Sequence, residues 1–339
     1  MRAALSHRWR LALAALLAVA GATAVALLAT DEDADGVRAT TGRWVSLQPS
    51  PLSRSEVGAA RVGSSIYVVG GFAAPEGATT DRVARYDIEA GTWRLAAPMP
   101  IAVNHPGVAA SGGRLFVYGG YTDVGALSGE TDALQSYNPA TDSWALLAGS
   151  GVKLGAATLA PVGRRLYAIG GASGGAAQRL VQVYDIPKGA WRAGPPMRVA
   201  REHLASGAIG SRILVLGGRD GGRNLDAVEV FNTRTRKWRA LPDLRTARSG
   251  FQAAVVKGHL VAAGGEQLDE GDQTIGPAEL YDPAEKRWRV LPAMLTPRHG
   301  LGVASNGRTL FAIEGGPQPG LAFSNALEVL RVPRSLLTR

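Results

Sequence analysis

The pentapeptide YAIGG at Tyr167–Gly171 ends an apolar run in a glycine pair, and the chain repeats that ending five more times. The near-copies are YVVGG from Tyr67, FVYGG from Phe116, LVLGG from Leu214, VAAGG from Val261 and FAIEGG from Phe311. The pairs begin at Gly70, Gly119, Gly170, Gly217, Gly264 and Gly315, at steps of 49, 51, 47, 47 and 51 residues. Self-similarity at such a period marks a repeat architecture, in which no unit can bury its own faces and each must stack on neighbours.

A second mark travels with the glycines. YDIEAGTW, YNPATDSW, YDIPKGAW, FNTRTRKW and YDPAEKRW each place an aromatic seven residues before a Trp, at Trp93, Trp144, Trp191, Trp238 and Trp288. Asp, Asn, Pro and Gly between them are tight-turn residues, so the aromatic ends one strand and the Trp begins the next. In the fifth period GFQAAVV, HLVAAGG, PAELYD and RWRVL read as four short strands joined by turns. Short, evenly spaced strands of this kind predict an all-β chain.

Glycine pair, aromatic and Trp at this spacing resemble the kelch repeat, a β-propeller blade, from residue 43 to about 331. The resemblance implies a six-bladed kelch-type propeller over 42–335. The last period runs into NALEVLRV, with Leu330 in the aromatic position and no Trp after it, while Trp44 stands before the first period without an aromatic partner. Trp44 is therefore expected to supply the outer strand of the last blade, so that the two ends of the chain pair and no sheet edge is left open. Glycine pairs and Trp rings are read as structural.

A third register starts from each Trp. Ten residues on lie Arg54, Arg201, Arg248 and Arg298, nine on lies Lys153, and the remaining position is Val103 beside Asn104 and His105. Because first and second strands form a hairpin, these entries share a face with the residues after the glycine pairs, Phe72, Tyr121, Ala172, Arg219, Glu266 and Pro317. Convergent guanidiniums suit carboxylate or phosphate. The expected binding face thus comprises Arg54, Lys153, Arg201, Arg248, Arg298, His105, His203 and Tyr121, as a basic mouth for an anionic small molecule, an acidic glycan or an acidic protein segment. Kelch propellers that bind acidic peptides resemble this arrangement. The opposing reading pairs the arginines with loop carboxylates such as Glu76, Asp81, Asp123, Asp132 or the EQLDEGD acids, tying blades together.

The net charge is +9. The first 35 residues hold three Arg and four acids, leaving 34 basic against 24 acidic residues, or +10. Arg2, Arg8 and Arg10 precede an uncharged span from Leu11 to Thr30, long enough as a helix to cross about 30 Å of bilayer core. Residues 1–30 are expected to be a signal-anchor or transmembrane segment, and 31–41 an acidic linker. Arginines before the span and acids after it place the propeller outside the cytoplasm. A cleaved signal peptide is the alternative, and it too exports the remainder, to the periplasm or as a secreted protein. An exported basic protein is expected to meet anionic surfaces or acidic sugars rather than nucleic acid.

With no cysteine in the chain, thiolate metal sites and Cys nucleophiles are excluded, as is the Cys–Tyr cofactor of galactose-oxidase-like kelch enzymes. His105, His203 and His299 lie near the mouth in no recognised zinc spacing, so hydrogen-bonding roles are expected, with no metal and no cofactor. The expected function is a ligand- or protein-binding module. The alternative is a sugar isomerase resembling the exported N-acetylneuraminate mutarotases, for which Glu266 and Arg219 are the candidate catalytic pair.

Overall fold

The computed structural model describes residues 39–269 and 271–337. These form six four-stranded antiparallel sheets. Sheet 1 contains Gly58–Val62, Ser65–Val69, Val83–Asp87 and Thr92–Ala96, and sheets 2 to 5 repeat that order along the chain. Sheet 6 contains Gly302–Asn306, Thr309–Ile313 and Leu327–Arg331, and its outer strand is Trp44–Ser46 from the other end of the chain. Trp44 pairs with Leu330, in the register that joins Tyr86 to Trp93 and Tyr281 to Trp288 in other sheets. The inner strand of each sheet packs against the inner strands of two neighbours, and the contacts run round from sheet 1 to sheet 6 and back. This is a β-propeller arrangement.

The core consists of six wedges, one between each pair of adjacent sheets. Strand alternation builds them. In Thr309–Ile313, Leu310 and Ala312 enter the wedge toward sheet 5, whereas Phe311 and Ile313 enter the wedge toward sheet 1. Strands buried on both faces need continuous apolar runs, which is why YVV, YAI and LVL contain no polar residue.

Each repeat mark supplies one bond between sheets. The indole Nε1 of Trp93 donates to Gln48 O, Trp144 to Ala97 O, Trp191 to Ala148 O, Trp238 to Pro195 O, Trp288 to Pro242 O and Trp44 to Pro292 O, all at 2.7–2.9 Å. The second glycine of each of the first five pairs, and the first glycine of the sixth, donates its N–H to the entry of the next inner strand: Gly71 to Val103 O, Gly120 to Leu154 O, Gly171 to Arg201 O, Gly218 to Arg248 O, Gly265 to Arg298 O and Gly315 to Arg54 O. Approach is so close that a Cβ on Gly70 would lie 2.3 Å from Val103 O, and one on Gly71 would lie 2.4 Å from Ser55 O. Both glycines also have positive φ. Only glycine meets both demands without strain.

The sixth copy departs from the expected pattern. Gly315 plays the part of Gly71, so Glu314, at φ 57°, stands where the other sheets have their first glycine. The expected 31–41 linker also ends in contact with the sheets: Ala39 is buried in the wedge between sheets 6 and 1, and Thr41 bridges to Arg331. The expected membrane span lies outside the described residues. Among the described residues no helix is long and apolar enough to cross a membrane.

Two predictions follow from the inter-sheet bonds. Deleting residues 42–48 strips Leu327–Arg331 of its partner and removes an indole from the core, so the denaturation midpoint should fall by an amount equivalent to several kcal/mol. An unchanged midpoint by urea titration would refute the closure. Asp142 Oδ1 accepts from the Tyr137 hydroxyl at 2.5 Å and from Ala97 N at 2.9 Å, linking sheet 2 to sheet 1. Those two bonds hold its carboxyl below the ordinary 3.8. A depressed carboxyl stabilises the fold above its unfolded pKa and loses that contribution as pH falls through the folded value. The Tm advantage of the wild type over Asp142→Asn should therefore shrink below about pH 4, and a constant difference down to acid pH would refute the assignment.

Candidate functional site

Four of the five basic residues expected at the mouth are instead sealed inside the sheets. Arg54, Arg201, Arg248 and Arg298 are each 0% exposed. Arg201 donates from Nη1 to Gly217 O and Ala227 O and pairs through Nη2 with Glu229 at 2.9 Å. Arg248 repeats this with Gly264 O, Pro277 O and Glu279. Arg298 bonds Ala326 O and faces Glu328 at 3.4 Å. The carboxylates are also held from the other side, since Glu229, Glu279 and Glu328 each accept two backbone N–H groups from the turn before the arginine.

These partners stand on third strands, two residues before the aromatic position, and not in the loops that sequence reasoning had nominated. Sheet 1 has Ala84 there, and Arg54 reaches across to Glu314 of sheet 6 in a bidentate pair, Nε–Oε2 2.7 Å and Nη2–Oε1 3.1 Å. The physical reason for the inward turn is the row of carbonyls freed around each glycine pair, which a guanidinium can satisfy together with a carboxylate. Lys153 is exposed and does not line the mouth. The bond from Gly120 N to Leu154 O identifies Leu154 as the equivalent of Arg54, so only four entries of six are basic.

The true mouth is set two residues further on. Glu56, His105, Ala156, His203, Gly250 and Gly300 all have positive φ, between 51° and 61°. They are linked by backbone bonds: His105 N to Glu56 O, Ala156 N to His105 O, His203 N to Ala156 O, Gly250 N to His203 O and Gly300 N to Gly250 O. Val57 N to Gly300 O closes the circle. The entry residues Asn104, Glu202, Ser249 and His299 form bridges to Tyr121, Arg219, Glu266 and Gly316. Gly316, rather than Pro317, is thus the sheet 6 member of that face.

This geometry brings His105, His203, His299, Arg219 and Glu266 together and adds Glu56 and Glu202. Glu56 bonds two imidazoles, His105 Nε2 at 3.0 Å and His299 Nδ1 at 2.9 Å. Arg219 donates to Glu202 Oε1 at 2.5 Å, Glu266 Oε1 at 3.0 Å and His203 Nε2 at 3.1 Å. Glu202 also accepts from His203 Nδ1. Tyr121 is buried and stacks edge-on against His105, centroids 5.5 Å apart.

Burial and neighbours pull the titrations apart. Burial alone would raise Glu56, but His105 and His299 hold it well below the carboxylate range. Burial pushes His203 down to about 4 against the pull of Glu202, so the ring is neutral and its Nε2 can accept from Arg219. Burial outweighs the neighbouring His299 and Arg219 at Glu266 and leaves its carboxyl raised. Burial would lower His299, yet Glu56 and Glu266 raise it overall.

Above this floor lies a cavity of about 320 Å³, bordered by Phe72 and by Leu127, Leu268 and Leu321 from three loops. All three leucines are exposed. Below the floor a second cavity of about 100 Å³ runs between the inner strands. Among the described residues lining the upper cavity Arg219 is the only Lys or Arg, set against Glu56 and Glu266. The expected basic mouth is therefore corrected: its lining carries two carboxylates and one guanidinium beside three imidazoles. Sequence reasoning missed Glu56 and Glu202, although counting two residues past each entry arginine would have reached Glu56 and His203 together.

The arginines now predict the opposite of what a solvent-facing ring would. Arg201→Ala leaves Glu229 buried without its charge partner and should cost about 3–5 kcal/mol by chemical denaturation. Arg234→Ala with Arg236→Ala, in an exposed outer turn, should stay within about 0.5 kcal/mol of wild type. Equal losses from the two variants would overturn the assignment.

Over 71 residues the chain is 31% identical to Kelch-like protein 4 of Homo sapiens, a stretch that is 21% of this chain and 10% of that protein. The chain thus matches about a tenth of that relative's length. The solved structure titled "Structure of YjhT" superposes with a TM-score of 0.71 over 83% of this chain and 95% of that chain, at 16% identity, a likeness of fold. The Kelch motif family matches at residues 53–100, 103–150, 155–198 and 200–245, more than half of the chain. With its glycine pairs, its Trp register and its propeller sheets, the chain belongs to the kelch-repeat family.

Proposed function

We propose that residues 42–335 work as one six-bladed kelch propeller, closed by its two ends and carried outside the cytoplasm by the N-terminal segment. Its task is to bind a segment of another protein at the mouth. The observation that carries this reading is the pairing of an exposed leucine rim with a buried hydrogen-bonding floor. An amphipathic side chain fits that gradient, with its stem against Leu127, Leu268 and Leu321 and its polar tip below. Glu202 and Glu266 pair with the single guanidinium of Arg219, and Glu56 stands between His105 and His299, so the tip is a neutral or cationic group such as a Lys or Arg side chain.

Fluorescence anisotropy with matched lysine- and glutamate-bearing peptides tests this reading. The lysine peptide should bind more tightly and lose affinity as salt is raised. Glu266→Gln should weaken it by about 1.5–3 kcal/mol, as loss of a charge-assisted bond. Tighter binding of the glutamate peptide would overturn the reading.

A second reading, sugar isomerisation, is favoured by one pair. Glu266 and Arg219 border the cavity 3.0 Å apart, and burial raises the Glu266 carboxyl toward the range useful for proton transfer. Mutarotation of an acidic sugar followed by NMR, abolished in Glu266→Gln, would support it.

A further inference from the structure

Four of the six positions on the backbone circle are not glycine, and three of those four carry large polar side chains. Sheets 3, 5 and 6 place Ala156, Gly250 and Gly300 there, whereas sheets 1, 2 and 4 place Glu56, His105 and His203 at φ 54°, 52° and 53°. A left-handed backbone disfavours non-glycine residues by about 1–2 kcal/mol each. Strain of this kind concentrates where a function requires the side chain. All three are buried, and all three border both the upper and the lower cavity.

Their donor atoms lie within 4.8 Å of one another. The imidazole protons are fixed by neighbours. Thr79 Oγ1 donates to Asp123 O at 2.7 Å and so accepts from Asn104 Nδ2 at 2.8 Å. That turns Asn104 Oδ1 toward His105 Nδ1, 2.6 Å away. His203 Nδ1 is held in the same manner by Glu202. Both rings therefore carry a proton on Nδ1 and direct Nε2 into the site, His203 as a lone pair facing Arg219 and His105 toward Glu56. His105 Nε2 lies 3.0 Å from Glu56 Oε2, a contact closed by a proton that a metal ion would displace on binding. An outer oxygen on Nδ1 and an Nε2 directed inward is how proteins orient ligating histidines.

We propose that Glu56, His105 and His203 form a two-histidine, one-carboxylate site for a divalent transition-metal ion, Zn2+ or a close neighbour, at the floor of the mouth. Two nitrogens and one carboxylate oxygen match the preference of such ions and leave coordination positions for a ligand from the cavity. Arg219 Nη2 lies 3.1 Å from His203 Nε2 and must release it when an ion binds, retaining its bonds to Glu202 and Glu266. The ligands come from equivalent positions one and two repeats apart, which is why no short histidine spacing announces them. The site rests on the reading of the mouth as a place for positive charge, and its test is separate from peptide binding.

The full chain, without a polyhistidine tag, is stripped with chelator and titrated with Zn2+ by calorimetry, and with Co2+ by visible absorption. Stoichiometric Zn2+, a raised Tm and a Co2+ spectrum are expected. His105→Ala and His203→Ala should fold, because Ala156 already occupies the same backbone position, and each should abolish stoichiometric binding. Asn104→Ala, which frees the His105 ring, should weaken Zn2+ roughly 10–100-fold. Lys153→Ala, exposed and away from the mouth, should retain it. Absent or substoichiometric Zn2+ in the wild type, or equal binding by His105→Ala, would overturn the proposal and leave Glu56–His105 as a proton-mediated pair. Should Zn2+ bind and the lysine peptide not, the metal site stands and the peptide reading falls. The converse result has the converse meaning.

Discussion

Each sheet is a separate four-stranded unit, and the molecule depends on what crosses between units. Three closed circuits do so. At the axis, six left-handed residues pass a backbone hydrogen bond from sheet to sheet. Outside them the second glycines pass a second bond to the entry carbonyls. At the periphery the Trp indoles pass a third. Each bond contributes only about 0.5–1.5 kcal/mol net, but a missing partner strands a desolvated group at about 1–3 kcal/mol. The circuits therefore discriminate against an open ring more than their sum suggests, and the six apolar wedges supply the bulk of the attraction.

The same circuits explain where function can reside. The inner one forces a left-handed turn at each strand entry, which points the following side chains at the axis and gives Glu56, His105 and His203 a common floor. The arginine two residues earlier faces the opposite way, into the sheet, where glycine-pair carbonyls and a third-strand carboxylate receive it. Three of those four arginines are met by a Glu of their own sheet, and where the sheet offers Gln135 in its place the entry is Val103. In those three sheets the buried charge is balanced within the sheet, whereas Arg54 is balanced across the seam by Glu314.

Much of this was legible in the sequence. Glycine pairs and Trp spacing are direct records of the second and third circuits, because only Gly tolerates those approaches and only Trp spans that gap. The position of Trp44 was readable for the same reason. The orientation of the arginines was not. A basic residue at a strand entry has two directions open to it, and the deciding partner, such as Glu229, lies 28 residues further on in a strand that reads as apolar. Lys153 was placed in the series by allowing one residue of slack, whereas the backbone bond to Leu154 allows none. Glu56 and Glu202 went unnoticed because each is an ordinary acidic residue until the left-handed turn aims it at the axis.

Glu314 gives the ring a means of counting itself. Near-identical repeats could close in the wrong number or join in the wrong order, since five of the seams use interchangeable parts. Arg54 finds no carboxylate in its own sheet, where Ala84 stands at the Glu position. Glu314 replaces a glycine that every other sheet keeps, and its carboxylate turns to the neighbour, where it also takes a bond from Ser50 at 2.6 Å. Only the meeting of first and last sheets neutralises both. Any assembly that skips a sheet, or adds one from a second chain, buries two opposite charges apart, each without its partner. The seam is keyed, and the key fits once per chain.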